Sequence, residues 1–353
     1  MKSILKTIAV VAAFAFATPA FAGGVTVAQD GDSKTKLEAL FFLNTTMDNT
    51  KVNGVKTAES TGLAVDRAYF TLKHSFNSDW MMRFTTDMNQ DTALGGKKQN
   101  IYLKYAYVEG KLAGDAAVLR LGQSHTPWID YEQGLWGHRY VAKVTSDYFK
   151  FDDSSDLGIG LKGDLADGMV KYWVTETTGA GYGNSTGSTK GVDLNARLGI
   201  YPIEGLTLDA QFRDGYRGTK TFAATGTKNA LIQVMATYGM GKDWRVGANY
   251  LSNKGRDSLG VNKGTNIKAT GFSVWATAKF AGNFGAFARY DSMKDKSAVG
   301  VQTAKNTRTT GGIEYSPIKN VTFSLAMENY KNAIVGGNTT KNSRVGLFSQ
   351  IKM

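Results

Sequence analysis

The feature that most constrains this chain is an alternation of apolar and polar side chains, repeated in many short segments. In one such segment Ala68, Phe70 and Leu72 alternate with polar residues that include Arg67 and Lys73. Successive side chains of a β-strand point to opposite faces, whereas a helical face repeats about every 3.6 residues. The alternation therefore predicts an all-β chain whose strands have one apolar and one polar face.

The connections between these segments alternate between short and long. Asn77–Asp79 and Leu112–Asp115 are short, whereas Thr46–Gly62, read here as a polar loop, and Ser124–Lys150 are long. We count about sixteen segments, and an even number of strands with short turns on one side and long loops on the other is typical of bacterial outer-membrane barrels. The pattern predicts a transmembrane antiparallel β-barrel of about sixteen strands, with short periplasmic turns and long external loops.

The distribution of charge supports a closed barrel. The apolar face of most segments carries almost no charge, although 20% of the residues are charged. An open sheet in lipid would leave backbone N–H and C=O groups unpaired, whereas a closed barrel has no edge. The alternative is a secreted soluble β-protein, such as a sandwich or propeller. That fold requires a second layer over the apolar faces, and a chain with four prolines and no cysteine gives no sign of one.

The N-terminus has the pattern of an export signal. Lys2 and Lys6 precede an apolar run that ends in the small-residue site Ala20-Phe21-Ala22. The apolar run is too short to span about 30 Å of hydrocarbon as a helix. We therefore expect residues 1–22 to be a signal peptide and residues 23–353 to form a single barrel domain.

Charge and motifs argue against an enzyme or a nucleic-acid-binding protein. The formal net charge is +12, but the basic residues occur singly rather than in the clustered patch that nucleic-acid binding needs. The absence of cysteine excludes thiolate metal sites and covalent haem attachment. His74, His125 and His138 lack metal-ligand spacing, and there is no G-x-S-x-G motif. We expect no catalytic activity, no cofactor and no nucleic-acid partner.

One long segment, Ser124–Lys150, interrupts the alternation. It contains Pro127, Trp128 and Trp136 together with charges of both signs. As the third long connection of a barrel, it is expected to fold inward and narrow a pore. The alternative is a loop that only covers the outer end of the barrel.

The alternation also assigns charges to the inner face, where basic residues outnumber acidic ones and should favour anions. Arg67, Arg83 and Arg120 precede the long segment closely and are the preferred wall candidates. The same rule places Tyr105 and Tyr107 on the lipid face. The candidate residues of the pore lining and constriction are Arg67, Lys73, Arg83, Lys104, Arg120, Asp130, Glu132, Arg139, Arg197 and Arg213.

Three stretches resemble a known family. They are Asp66–Lys73, Ile101–Glu109, and Leu119–Gln123 followed by Thr126-Pro127-Trp128. With them, the chain resembles bacterial outer-membrane porins and is most similar to the phosphate-selective porin O and P family. The resemblance implies a sixteen-stranded, trimeric, anion-conducting channel with a folded-in third loop. Two features depart from that family: no segment carries a dense arginine ladder, and Met353 replaces the usual terminal Phe.

These observations predict a porin in the outer membrane of a Gram-negative bacterium. It would be a homotrimer in contact with outer-membrane lipid, passing small hydrophilic solutes with a mild preference for anions, including phosphate or other oxyanions. One alternative is a channel for a specific small organic acid or other solute. Another is a non-conducting structural or partner-binding barrel, such as the sheath of an electron-transfer conduit whose haem proteins are separate chains.

Overall fold

The structure is a computed structural model that describes residues 24–90, 99–182, 190–220, 224–240, 243–260 and 263–353. The expected signal peptide, residues 1–22, lies outside these ranges. The strands are β1 (Val25–Asp30), β2 (Ser33–Val52), β3 (Val55–Ser75), β4 (Trp80–Gln90), β5 (Gln99–Ala113), β6 (Ala117–His125), β7 (Ser155–Leu165), β8 (Val170–Thr177), β9 (Asp193–Ile200), β10 (Leu206–Gly215), β11 (Asn229–Met240), β12 (Trp244–Arg256), β13 (Lys263–Ala281), β14 (Phe284–Lys296), β15 (Gln302–Ile318), β16 (Val321–Ile334) and β17 (Thr339–Lys352).

Sixteen of these strands, β2 to β17, form a closed antiparallel barrel. Each pairs with the next in sequence, and β17 returns to β2 with a register that runs from Lys352 opposite Leu40 to Thr340 opposite Val52. The prediction of a sixteen-stranded antiparallel barrel is confirmed. The short strand β1, which the sequence analysis did not anticipate, forms a hairpin with the start of β2.

The side chains follow the alternation that the sequence predicted. In β10 and β11, the apolar Phe212 and Val234 are 44% and 46% exposed on the outer surface, whereas their neighbours Arg213 and Gln233 are buried inside. Among the described residues no second sheet covers the outer face, because all seventeen strands belong to one sheet. An apolar outside with a polar inside is the arrangement of a barrel that has lipid around it.

The expected polar loop Thr46–Gly62 is instead a regular hairpin. Strands β2 and β3 continue through this region and turn at Asn53-Gly54. Both turn residues have positive φ, 51° and 87°. Asparagine followed by glycine is the favoured pair for the two-residue turn that requires this conformation. The prediction of a long irregular loop was wrong because the polar composition of the segment hid this turn signal.

A bulge in β5 reverses the predicted orientation of two tyrosines. Tyr105 lies opposite Thr85 and Leu103 lies opposite Thr86, so Lys104 is an extra residue in the pairing with β4. An extra residue in a strand changes which face the following side chains occupy. Tyr105 and Tyr107 are therefore buried inside the barrel. The prediction that they face lipid was wrong.

The connection between β6 and β7, residues 126–154, folds into the barrel. It contains the helices α1 (Ile129–Trp136) and α2 (Thr145–Tyr148). Trp136 lies edge-on to the inward rings of Trp275 in β13 and Phe287 in β14, with centroids 5.8 Å away in each case. The prediction of an inward-folded third loop is confirmed, and the alternative of an external cap is wrong. No described helix is long and apolar enough to cross a bilayer.

Candidate functional site

The inward loop is attached to one side of the barrel by Glu132, which is fully buried. Its carboxylate accepts hydrogen bonds from Arg289 Nη2 at 3.1 Å, from Trp128 Nε1 at 2.8 Å and from Asn249 Nδ2 at 3.1 Å. Arg289 and Asn249 belong to the wall, whereas Glu132 and Trp128 belong to the loop. A buried carboxylate is stable only when charged and polar partners surround it. Glu132 therefore holds α1 against β12 and β14.

A second attachment joins α2 to the same wall. Thr145 donates to Asp291 at 2.6 Å, and Asp291 lies between Arg289 at 2.9 Å and Arg308 at 2.7 Å. Arg308 also donates to the backbone carbonyl of Lys143 in the loop. Both arginines are fully buried. This network fixes the second half of the loop, so the loop has a defined position rather than a free one.

Two other predicted site residues also contact the loop. Arg197 lies 3.5 Å from the ring centroid of Tyr131 in α1 and pairs with Asp209 at 3.1 Å. Arg213 lies 3.9 Å from Asp152, near the end of the loop. Both arginines are more than nine-tenths buried. The guanidinium groups of Arg197 and Arg213 therefore take part in contacts between the loop and the wall.

Lys104 is also fully buried, at the extra position of the β5 bulge. Its ammonium donates to Ser154 Oγ at the end of the loop. It also lies 3.5 Å from the ring centroid of Tyr182. These contacts tie the end of the loop to β5.

An aperture remains beside the loop, next to β2, β3, β16 and β17. A cavity of about 400 Å³ lies there, and a second one of about 320 Å³ continues from it along Tyr148, Glu328 and Arg344. The residues around the first cavity come from the loop and from β2, β3, β16 and β17: Phe42, Asp66, Arg67, Arg139, Tyr140, Val141, Ala142, Lys143, Tyr148, Glu328 and Arg344. This aperture is the candidate pore constriction.

The charged side chains around the first cavity are mostly basic. Four are cationic and two, Asp66 and Glu328, are acidic. Arg67 pairs with Asp87 at 2.5 Å, and Arg139 lies 3.6 Å from Asp130. The guanidinium groups stay charged at any physiological pH. The constriction therefore has a small excess of positive charge.

Lys143 differs from the arginines because its charge can be lost near neutral pH. Burial lowers the pKa of Lys143 to about 8, although the nearby carboxylate of Asp147 opposes this shift. The ammonium of Lys143 lies 3.6 Å from Asp147 Oδ1. One of the four cations at the constriction therefore titrates just above neutral pH.

The remaining predicted residues lie on the wall closer to the short-turn end. Arg83 and Arg120 are near the short-turn ends of β4 and β6. Arg120 pairs with Glu109, and Lys73 pairs with Glu38 at 2.8 Å. Of the three preferred wall candidates, only Arg67 borders the constriction cavity.

Glu328 and Arg344 are constriction residues that the sequence analysis did not select. The alternation of β16 and β17 places both on the inner face. Nothing in the sequence indicates that these last strands lie beside a loop encoded some two hundred positions earlier, since that proximity follows only from closure of β17 on β2. Among the described residues there is no group of three His, Cys, Asp or Glu side chains that could hold a metal ion.

Comparisons of sequence find no relatives: no protein-family model matches this chain, and no curated protein matches it. Comparisons of structure do find similar proteins. The outer membrane channel DcaP of Acinetobacter baumannii has a TM-score of 0.68 at 12% identity, covering 95% of this chain and 100% of that one. OmpT, an outer membrane protein of Vibrio cholerae, has a TM-score of 0.64 at 12% identity and 93% and 100% coverage.

OmpF of Salmonella typhi, solved in complex with daunomycin, has a TM-score of 0.62 at 16% identity, over 93% of this chain and 100% of that one. At these identities the similarity shows the fold alone. The fold is that of outer-membrane porins, and these comparisons do not show the phosphate-selective porin O and P family.

Proposed function

We propose that this protein is a porin, a passive channel for small hydrophilic solutes in the outer membrane of a Gram-negative bacterium. The observation that carries the proposal is the constriction: the inward loop is held by contacts with the wall and leaves an aperture beside β2, β3, β16 and β17. A plug that filled the barrel would leave no such opening. Solutes would move down their gradient, and the width of the aperture would set the size limit.

The charges at the aperture support a mild preference for anions. Four cations against two acids give a modest positive potential, which attracts anions without excluding cations. Phosphate and other oxyanions are within the expected range of solutes, since arginine side chains can donate two hydrogen bonds to an oxyanion. The described residues around the aperture do not form a continuous row of arginines. We therefore propose a preference for anions and not a dedicated phosphate channel.

The same proposal includes export, membrane contact and assembly. Residues 1–22 would direct export and be removed, leaving one barrel domain from residue 23 whose outer surface contacts lipid. We propose a homotrimer, supported by the trimer form in which OmpT of Vibrio cholerae has been solved. The proposal includes no enzymatic activity, no cofactor and no nucleic-acid partner.

Single-channel recording in planar bilayers tests the function directly. The purified chain should give stable open-channel current, and its reversal potential in a potassium chloride gradient should show a modest preference for chloride. Absence of current would contradict the channel and favour the structural-barrel alternative. Current with a clear preference for potassium would leave the channel in place but contradict the charge assignment.

A further inference from the structure

The wall from β4 to β8 carries cations that lie against aromatic rings. The guanidinium carbon of Arg83 is 4.6 Å from the ring centroid of Tyr105. That of Arg120 is 4.7 Å from Tyr107 and 4.9 Å from Trp173. A ring beneath a guanidinium group holds its plane in a fixed orientation. These two arginines are therefore fixed in orientation on the pore wall.

Both arginines contact the imidazole of His125, which cannot accept a hydrogen bond from each of them. Arg120 Nη1 lies 3.2 Å from His125 Nδ1, and Arg83 Nη1 lies 3.4 Å from His125 Nε2. A neutral imidazole accepts a hydrogen bond at only one nitrogen, and a protonated one accepts at neither. In every protonation state, at least one guanidinium group faces an N–H group instead of an acceptor.

Arg83 is the arginine left without an acceptor at this contact. The carboxylate of Asp130 is 3.7 Å from His125 Nε2, which favours a proton on that nitrogen. The other nitrogen, Nδ1, is then free to accept from Arg120. Arg83 keeps a hydrogen bond from its Nε to Thr85 at 3.0 Å. Among the described residues, no carboxylate forms an ion pair with it.

We propose that Arg83, beside Arg120 and His125, is a binding site for the carboxylate of small planar organic acids, of which aromatic carboxylates are the best fit. The proposal rests on the channel function proposed above and names a solute class for that channel. The free N–H groups of Arg83 supply the two-donor contact that a carboxylate accepts. The partly buried ring of Trp173 and the fixed guanidinium planes give a flat surface on which an aromatic ring can stack.

Compact anions use only part of this site. Acetate has the carboxylate but no ring, and inorganic phosphate has charge and acceptors but no flat apolar body. Stacking on an aromatic or guanidinium surface adds binding energy that these anions cannot gain. Benzoate should therefore bind more tightly than either, and the difference should depend on the planar head of Arg83 rather than on its charge.

The test measures block of chloride current through the full chain in planar bilayers by benzoate, acetate and inorganic phosphate. We expect benzoate to halve the current at a concentration at least about tenfold lower than acetate or phosphate. Arg83→Lys keeps the charge but removes the planar guanidinium group. It should abolish most of the difference in blocking concentration between benzoate and the two compact anions. Arg83→Gln, which removes the charge as well, should do the same. The matched control is Arg245→Lys. Arg245 is an inward arginine of β12 that donates to Thr237 and is not part of the site formed by Arg83, Arg120 and His125.

Each outcome separates the two proposals. Equal block by benzoate and acetate, or block by phosphate as strong as that by benzoate, would overturn the carboxylate site while leaving the channel in place. A benzoate advantage that survives both Arg83 variants would also overturn the site. Absence of any chloride current would overturn the channel itself, and with it the premise of the site.

Discussion

The two sides of the barrel interior use the same residue types for different purposes. On the side covered by the loop, Arg289 and Arg308 are fully buried and share the carboxylate of Asp291. On the wall from β3 to β6, Arg67 and Arg120 keep 11% of their side-chain surface exposed, and Arg83 has no carboxylate partner among the described residues. Because the loop buries Arg289 and Arg308, these two residues attach the loop to the wall. The second set keeps a small part of its surface exposed to the lumen.

This difference shows why the inner face of a barrel cannot be interpreted from charge alone. An inward arginine can border the constriction, attach the loop or contact solutes. Which of these it does depends on whether the loop buries it. Buried ion pairs are costly to break, because the remaining partner keeps an uncompensated charge. Solvated pairs contribute little to stability. Substitutions on the two sides should therefore have effects of different size and kind.

The largest expected effect is on the covered side. Glu132→Ala removes the carboxylate that accepts from Arg289, Trp128 and Asn249. Breaking such a buried contact costs about 3–5 kcal/mol. We expect α1 to leave the wall, which should raise single-channel conductance and lower the temperature of unfolding in detergent. Unchanged conductance together with an unchanged unfolding temperature would show that the loop does not depend on this attachment.

At the aperture, a charge reversal should change selectivity more than stability. Arg139→Glu would change the four cations and two acids around the cavity to three of each. We expect the reversal potential in a salt gradient to move toward potassium. Arg120→Glu is the matched comparison, because Arg120 lies on β6 outside the cavity. It should give a smaller shift of the reversal potential. A larger shift for Arg120→Glu would place the controlling constriction nearer the short-turn end.

A weaker effect should follow from pH. The pKa of Lys143 is lowered to about 8, so its ammonium is mostly charged at pH 7 and mostly neutral at pH 9. The preference for chloride should therefore decrease as pH rises through about 8. Lys143→Gln should show a lower preference at pH 7 and little change over the same range. A wild-type preference that is constant from pH 7 to pH 9 would contradict the role of Lys143.

The smallest effect is expected at a partly exposed ion pair between β2 and β3. Glu38 and Lys73 form an ion pair whose side chains are 25% and 33% exposed. Glu38→Gln should change the free energy of unfolding by less than about 1 kcal/mol, because solvated pairs contribute little. Denaturant unfolding in detergent measures this. A loss as large as that for Glu132→Ala would remove the distinction between the two sides.

The sequence was enough to predict the barrel, because side-chain alternation is a local property of each strand. It predicted the number of barrel strands and the inward third loop. It also contained the Asn53-Gly54 turn signal, which the polar composition of the surrounding segment concealed. These features depend on residues that are neighbours in the chain.

The sequence was not enough to predict the site, because the site depends on distant contacts and on exact register. The extra residue Lys104 in β5 changes the face of Tyr105, and a bulge leaves no clear mark in an alternating pattern. The attachment of Glu132 to Arg289 joins residues far apart in the chain. Glu328 and Arg344 reach the aperture only because β17 closes on β2.

The position of the loop has a consequence for the order in which the molecule can mature. The loop precedes β7 in the chain, but the side chains that hold it belong to strands that are synthesised afterwards: Asn249, Trp275, Phe287, Arg289 and Arg308. A partly assembled protein that lacks these strands has only the contacts of the loop with earlier strands, such as that of Ser154 with Lys104. Narrowing of the passage is therefore completed only when the C-terminal half has been inserted and the first and last strands have joined.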